Sequence, residues 1–420
     1  MRLLQLELKR VLKTRVTYLL LAAALVLAVV MAYIPVTFIG WTELDAAGNE
    51  VHYTGLAAIQ KRKEHQVSGV ITTDIMKEGL EAYQRVYAEY DAKNINSIPA
   101  EVFYAELSQY QPFVNDLKEA FADQETGIAP GIKELTLDDA DAFYDHLPLR
   151  LTSVVRMESE DYPAAQSAAI ALALKKFERV QTPYTYYFGA TADSIDYETL
   201  LFLLVTLLCA VIAAPVFSAD AQTGAEDILL CTRHGQRRLT AVKLGSALLI
   251  TSAAYLLCGV IWIVTTNSLF GWEGTKTSIQ WLFSVTSLLP FNVGQMQWIN
   301  YLGVFVLFAA EITFVLAASA WAKNNLTAMT ASLGSVLLPL IVYLMLPERL
   351  NSWAEALLPG SGIGLSNALL YRMYNFDFFL LGDHAWFQAD VLLVLAAVKI
   401  PLFLLLAAWG CRQKVRRYTQ

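Results

Sequence analysis

Six apolar runs of roughly twenty residues, at about 16–40, 198–217, 244–266, 299–321, 326–346 and 390–410, constrain this chain more than anything else in it. At about 1.5 Å of rise per residue, each run crosses a hydrocarbon layer about 30 Å thick. Lipid offers backbone N–H and C=O groups no partners, so helix is the form each run is expected to take. The composition agrees: 56% hydrophobic and 16% charged, where globular domains sit at about 45–50% and about 25%. The fold class expected is an all-α polytopic membrane protein with six transmembrane helices, which excludes a purely cytosolic enzyme. A secreted disulfide scaffold is excluded too, because Cys209, Cys231, Cys258 and Cys411 are few and lie in or beside apolar runs. The first run, apolar from Val16 to Ile39 with no small-residue cleavage site after it, reads as a retained span 16–40 rather than a signal peptide.

Charge divides the chain in two. Residues 41–197 carry 13 basic and 26 acidic side chains, whereas the remainder carries 18 and 12. Neither part has a concentrated basic face, so no nucleic-acid partner is expected. Residues 1–15 form an interfacial amphipathic helix: Arg2, Lys9, Arg10, Lys13 and Arg15 oppose a stripe of Leu4, Leu8, Val11 and Leu12. A simple basic anchor explains this segment equally well. Placing the N-terminus in the cytoplasm puts Arg233, Arg237, Arg238, Lys243, Lys323, Arg412, Lys414, Arg416 and Arg417 on the same side. The short outside loops then hold only Lys276, Arg349 and Arg372, as the positive-inside rule requires. The expected location is thus the cell membrane, multi-pass, with both termini cytoplasmic and 41–197 outside. Within the five-span part, 198–420, the stretches 279–298 and 363–381 read as outside interfacial or re-entrant pieces. The section 347–389, with Pro347, Pro359-Gly360, Gly362 and Gly364, reads as a broken helix.

The 41–197 insert is expected to be an extracytoplasmic, mainly helical domain. Met76, Leu80, Tyr83, Tyr87 and Tyr90 repeat at helical spacing, as do Phe103, Leu107, Tyr110, Val114, Leu117 and Phe121, with Pro112 placed to kink the second helix. A third helix is expected over 159–180. The tyrosine stripe reads as a packed seam in preference to a ligand platform. Asp138-Asp139-Ala140-Asp141 lacks the glycine and terminal glutamate of a calcium loop and reads as a helix start after Thr136.

Catalytic signatures are missing from the sequence. It has no H-E-x-x-H, no paired C-x-x-C, no G-x-S-x-G and no phosphate loop, and its five histidines are scattered. No enzyme activity, metal or bound cofactor is expected of this chain. Two charges stand inside spans, Glu311 and Lys399. Each is twelve or thirteen residues from the basic boundary at Lys323 or Arg412, hence at matching depth of about 18–20 Å. Both should face the bundle interior. They could form a pair, or Glu311 could be bonded locally while Lys399 snorkels.

The informative loop is 218–243. Thr223 and Glu226 have capping-box spacing and Gly235 is placed to stop a helix, which leaves a short helix centred on Ile228, Leu229 and Leu230 between two spans. This suits a lever pushed by a soluble partner; an amphipathic turn lying on lipid fits the same residues. Asp220, Glu226, Asp227, Arg233, Arg237 and Arg238 would form its polar rim, with Lys243 a membrane-edge anchor.

In this arrangement the chain resembles the permease subunit of bacterial type-2 ATP-binding-cassette exporters. The resemblance is carried by the basic N-terminal helix, the large insert after the first span, and Asp220, Gly224, Leu229-Leu230, Thr232, Gly235, Arg237-Arg238 and Lys243. The broken segment after Pro347 and the basic tail complete it. It covers nearly all of the chain outside 41–197, and departs from the usual pattern in having Asp220 where the family commonly has Glu. It implies two permease halves, the second a copy or a related chain, surrounded by membrane lipid. It also implies a separate cytoplasmic ATPase that uses the ATP, docks on the coupling helix at 220–238 and drives a peptide, lipid or drug-like substrate outward. A membrane-anchored receptor or scaffold sensing through 41–197 is the alternative.

Overall fold

The computed structural model describes Arg2–Ala225 and Arg237–Thr419. Helix dominates, and six helices are long and apolar enough to cross a membrane: Arg15–Phe38, Ala192–Thr223, Arg238–Phe270, Val293–Trp321, Asn325–Met345 and Gln388–Gln413. The second and fourth spans are central, with 67% and 61% of their apolar windows buried, against 28% for the first and fifth. Aromatic rings fill the space between the second, third and fourth. Tyr255 stacks on Phe308 at 4.6 Å and lies parallel to Tyr301 at 5.8 Å. The Tyr301 ring comes so close to Gly259 that a Cβ there would lie 2.1 Å from it, so only glycine fits. The fourth and sixth spans close in the same way where Trp321 lies on Gly410.

The N-terminal helix, Arg2–Leu12, packs its apolar edge on the bundle: Val11 is buried with Ile212 and Ile250. At the opposite end lie the 39–191 insert and the connections 271–292 and 346–387. The expected helices of the insert are present with shifted limits. The Met76 stripe forms Thr73–Glu89, with Met76, Leu80, Tyr83 and Tyr87 buried in a seam and Tyr90 left at the edge. Pro112 does not kink a helix; it opens one, Gln111–Ala120, because a proline in the first turn has no N–H to lose. The preceding turn, Phe103–Leu107, is π-helical. The third helix is Pro163–Phe177, shorter than expected, and a separate helix, Phe143–Glu158, runs through Pro148 before it. Thr136 caps the helix at Leu137–Asp141 by a reciprocal box with Asp139. A hairpin, Gly40–Leu44 with Glu50–Thr54, pairs Trp41 with Tyr53. Its strands are only five residues long, so their alternation is too brief to stand out in the sequence.

The insert sits on the 271–292 connection. Trp281 is enclosed by Phe113, Phe143 and Tyr184, Tyr184 Oη donates to the Val285 carbonyl at 2.8 Å, and Ser284 Oγ donates to Glu119 at 2.5 Å. Gly189 and Gly274 meet backbone to backbone. This connection ends at Asn292, which caps the fourth span in a box with Gln295; the stretch 279–298 is therefore connection up to 292 and the first six residues of the span after it, not one interfacial piece.

Candidate functional site

Two polar clusters stand out against the apolar bundle, one at the end of the second span and one inside the membrane domain.

The first grows from Pro215. Proline restarts the helix of the second span, which leaves the N–H groups of the new first turn without intrahelical partners. Ser319 of the fourth span serves Phe217: its Oγ accepts from Phe217 N at 3.0 Å, lies 3.2 Å from Ser218 N as well, and donates to the Ala214 carbonyl at 2.5 Å. Ser218 Oγ donates to Asn325 Oδ1 at 2.8 Å, and Asn325 N donates to Gln222 Oε1 at 3.0 Å, which ties in the fifth span. One turn further on, Asp220 is ion-paired with Lys243 of the third span and lies 3.4 Å from Arg10 of the N-terminal helix. Lys243 also donates to the Val216 carbonyl and lies over the Phe217 ring.

Three sequence expectations change here. Asp220 is not on an outer rim, because its carboxylate is taken up by Lys243 and Arg10 within the chain. Lys243 does not snorkel at the membrane edge but is buried, with an anion at hand. Thr223 does not start a helix; it is the last helical residue of the second span, its Oγ1 donates back to the Ala219 carbonyl, and Gly224 ends the helix at φ 70°. A glycine stop stands where the S/T-x-x-E spacing reads as a start, and Ala225 just beyond it is helical again. Arg238 is exposed at the beginning of the third span, where Arg237 opens the helix. Glu226, Asp227, Ile228, Leu229, Leu230, Arg233 and Gly235 lie outside the described residues.

The second cluster surrounds the broken segment. After Pro347 the chain forms a helix, Glu348–Leu357, a turn through Gly360 and Gly362, a short helix, Leu369–Tyr374, and a hairpin, Phe378–Leu381 with His384–Phe387. The turn enters the bundle. Gly360 lies against Ser335, ten residues from the end of the fifth span, and Leu358 touches Lys399, eleven residues into the sixth. At about 1.5 Å per residue that is about 15 Å deep, half of a hydrocarbon core. Lys399 donates to the Ala356 and Leu358 carbonyls, both at 2.6 Å, closing the C-terminal end of that helix. Glu311, fully buried, accepts from Ser335 Oγ at 2.5 Å, and its Oε2 has no hydrogen-bond partner and faces Gly360. Both charges face the interior, but they are not hydrogen-bonded to each other. Each holds a different side of the same turn. Pro339 contributes too: lacking an N–H, it frees the Ser335 carbonyl, and a Cβ on Gly360 would lie 2.7 Å from that oxygen.

At the mouth of this turn Glu355 gathers Ser361, Asn367, Gly362 N and Arg372, and Arg372 reaches on to Asp377. Burial raises the Glu355 carboxyl above its ordinary range, against the pull of Arg372. The sequence reading missed Glu198, which it placed at a span boundary. The second span starts at Ala192, so Glu198 is nearly two turns inside it, buried and bonded to Asn300 at 3.2 Å. The signal was there seven residues earlier in Thr191, which forms a capping box with Ser194. Among the described residues no cluster of His, Cys, Asp and Glu is arranged to hold a metal ion. No protein-family model matches the chain, and no curated protein is significantly similar to it.

Proposed function

We propose that this chain is the transmembrane permease subunit of an ATP-driven exporter of the type-2 ATP-binding-cassette kind. A separate cytoplasmic ATPase hydrolyses the ATP, a second permease half, the same chain or a related one, completes the pathway, and the insert lies outside the cell. The observation that carries the reading is the way the 224–236 loop is rooted. The helix entering it is joined through Asp220 to the third span and the N-terminal helix, and through Ser319, Ser218 and Gln222 to the fourth and fifth. A push on that loop is shared among five elements, as an energy-coupling loop requires. The broken turn at mid-bundle is the natural moving part at the other end, because non-helical backbone at this depth is tolerated only where protein or a cavity surrounds it.

Changing Leu229 and Leu230 to Asp, with insertion confirmed at normal levels, tests the reading. The expected result is loss of ATPase co-purification and of export. A large-to-small change at a buried leucine costs on the order of 2–5 kcal/mol, enough to release a docked subunit. Retention of both activities would remove the loop as the coupling element and leave the chain as a receptor or scaffold sensing through its insert.

A further inference from the structure

A cavity of about 230 Å³ opens where the insert meets the ends of the fourth and sixth spans. Its floor is apolar, built from Leu289, Phe291, Ile299, Leu369, Met373 and Leu393. Ile299 is six residues into the fourth span and Leu393 five into the sixth, so the floor lies about 8–9 Å inside the apolar layer, at the depth of the first methylenes of a lipid tail. The mouth is polar. Lys176 and Arg179, at the end of the helix Pro163–Phe177, stand over it beside Asp390. Lys176 is bonded to Asp390 at 3.0 Å and lies 4.2 Å from the centre of the Phe387 ring. The Arg179 guanidinium is exposed and, among the described residues, makes no hydrogen bond or ion pair.

We infer that this cavity binds a single-chain anionic amphiphile, with the hydrocarbon chain on the Leu289–Leu393 floor and the carboxylate or phosphate head on Arg179 and Lys176. Two cations against one carboxylate leave the mouth net positive, which selects an anionic head, and a guanidinium with both faces of its fork open offers bidentate contact to either acid. The volume admits the upper part of one chain and not of two, which selects a fatty acid or a singly acylated ligand over a diacyl phospholipid. Lysines and arginines at a helix C-terminus also offset the helix dipole. That role needs neither the cavity beneath them nor an unpaired guanidinium, and it predicts no ligand. The inference stands independently of the exporter reading, because it concerns binding and not transport.

The test uses the full-length protein in nanodiscs of zwitterionic phosphatidylcholine and a photoreactive palmitate probe, with labelled peptides mapped after irradiation. Labelling is expected within 288–299 and 369–393, and Arg179→Gln with Lys176→Gln should lower it at least tenfold while Arg179→Lys retains most of it. Arg179 is exposed, so the melting temperature of Arg179→Gln alone should not move, which separates a binding effect from the loss of the Lys176–Asp390 pair. A second variant, Leu369→Trp, fills the floor and should abolish labelling with the cations intact. Equal labelling by a photoreactive hexadecanol, unchanged labelling in the double variant, or preferential labelling of the same peptides by a photoreactive diacyl phosphatidylglycerol would each overturn the inference.

Discussion

A buried ion pair is most informative when only one of its members is removed. Lys243→Met leaves the Asp220 carboxylate at a nearly dry site with only the half-exposed Arg10 beside it. Stranding a buried charge in this way costs about 3–5 kcal/mol. Thermal melting in detergent should therefore show a large loss for Lys243→Met, and the double change Lys243→Met with Asp220→Asn should recover much of it. Arg10→Gln should cost less than Lys243→Met, because its guanidinium is in contact with water, although it also pairs with the buried Glu7. A double variant no more stable than the Lys243 variant would mean that the two side chains do not depend on each other. The sequence made Asp220 and Lys243 conspicuous but did not join them to each other. A carboxylate beside a loop looks solvent-facing until the 23-residue gap to its lysine is closed by the fold.

At the scale of elements, the seat of the insert carries a pH dependence. Asp116 and Glu119 lie on one helix against the Trp281 connection; Asp116 Oδ2 is buried without a hydrogen-bond partner. Burial raises both carboxyls, Asp116 well above its ordinary range. The groups around them are each other, Arg150, and the tyrosines Tyr144, Tyr184 and Tyr186. A carboxyl with a raised pKa keeps its proton when folded and has released it when unfolded. Its contribution is therefore complete below the ordinary carboxyl range near about 4 and is lost as pH rises through the folded value. Hydrogen exchange at the backbone amides of 184–187 and 278–281 should accelerate as pH rises, after correction for intrinsic exchange, and Asp116→Asn should flatten that trend; an unchanged slope would assign the dependence elsewhere. The re-entrant turn makes a second prediction. Gly360→Ala would put a methyl 2.7 Å from the Ser335 carbonyl and 3.0 Å from Val336 Cα, and neither can rotate away. Overpacking of this kind costs about 1–3 kcal/mol, and the melting temperature should fall accordingly, with Gly334→Ala, which meets nothing within 4 Å, as the neutral control. Elements signalled by period and cap, such as the Met76 stripe and the Thr136 box, were legible in the sequence. The hairpin at Trp41 and the depth of the Gly360 turn were not, because both are fixed by what packs on them from distant parts of the chain. The candidate site was legible as separate charges, Glu311 and Lys399, and not as two sides of one turn.

For the molecule as a whole, the topology is the expectation with the widest reach. The N-terminal helix, the 224–236 loop, the 322–324 connection and the basic tail share one end, while the insert, 271–292 and 346–387 share the other. Cys209 and Cys258 are buried, so a chain with Cys231 and Cys411 changed to Ser gives a quiet background for single cysteines. Glu125→Cys, on an exposed turn of the insert, should react with a membrane-impermeant thiol reagent in intact cells, and Lys13→Cys only after permeabilisation. The reverse pattern would invert the orientation and remove the exporter reading with it.

The serine that serves the second span from the fourth also sets an order of events during biosynthesis. The ribosome delivers residues 192–223 to the membrane about a hundred residues before Ser319 exists. Until then the N–H group of Phe217 lacks the oxygen that bonds it in the folded bundle and must find water or a lipid headgroup. The end of the second span, Pro215–Thr223, therefore cannot settle until the fourth has been inserted. Arrested nascent chains ending near residue 292 should be cut between 215 and 225, and chains that expose residue 330 outside the ribosome should not.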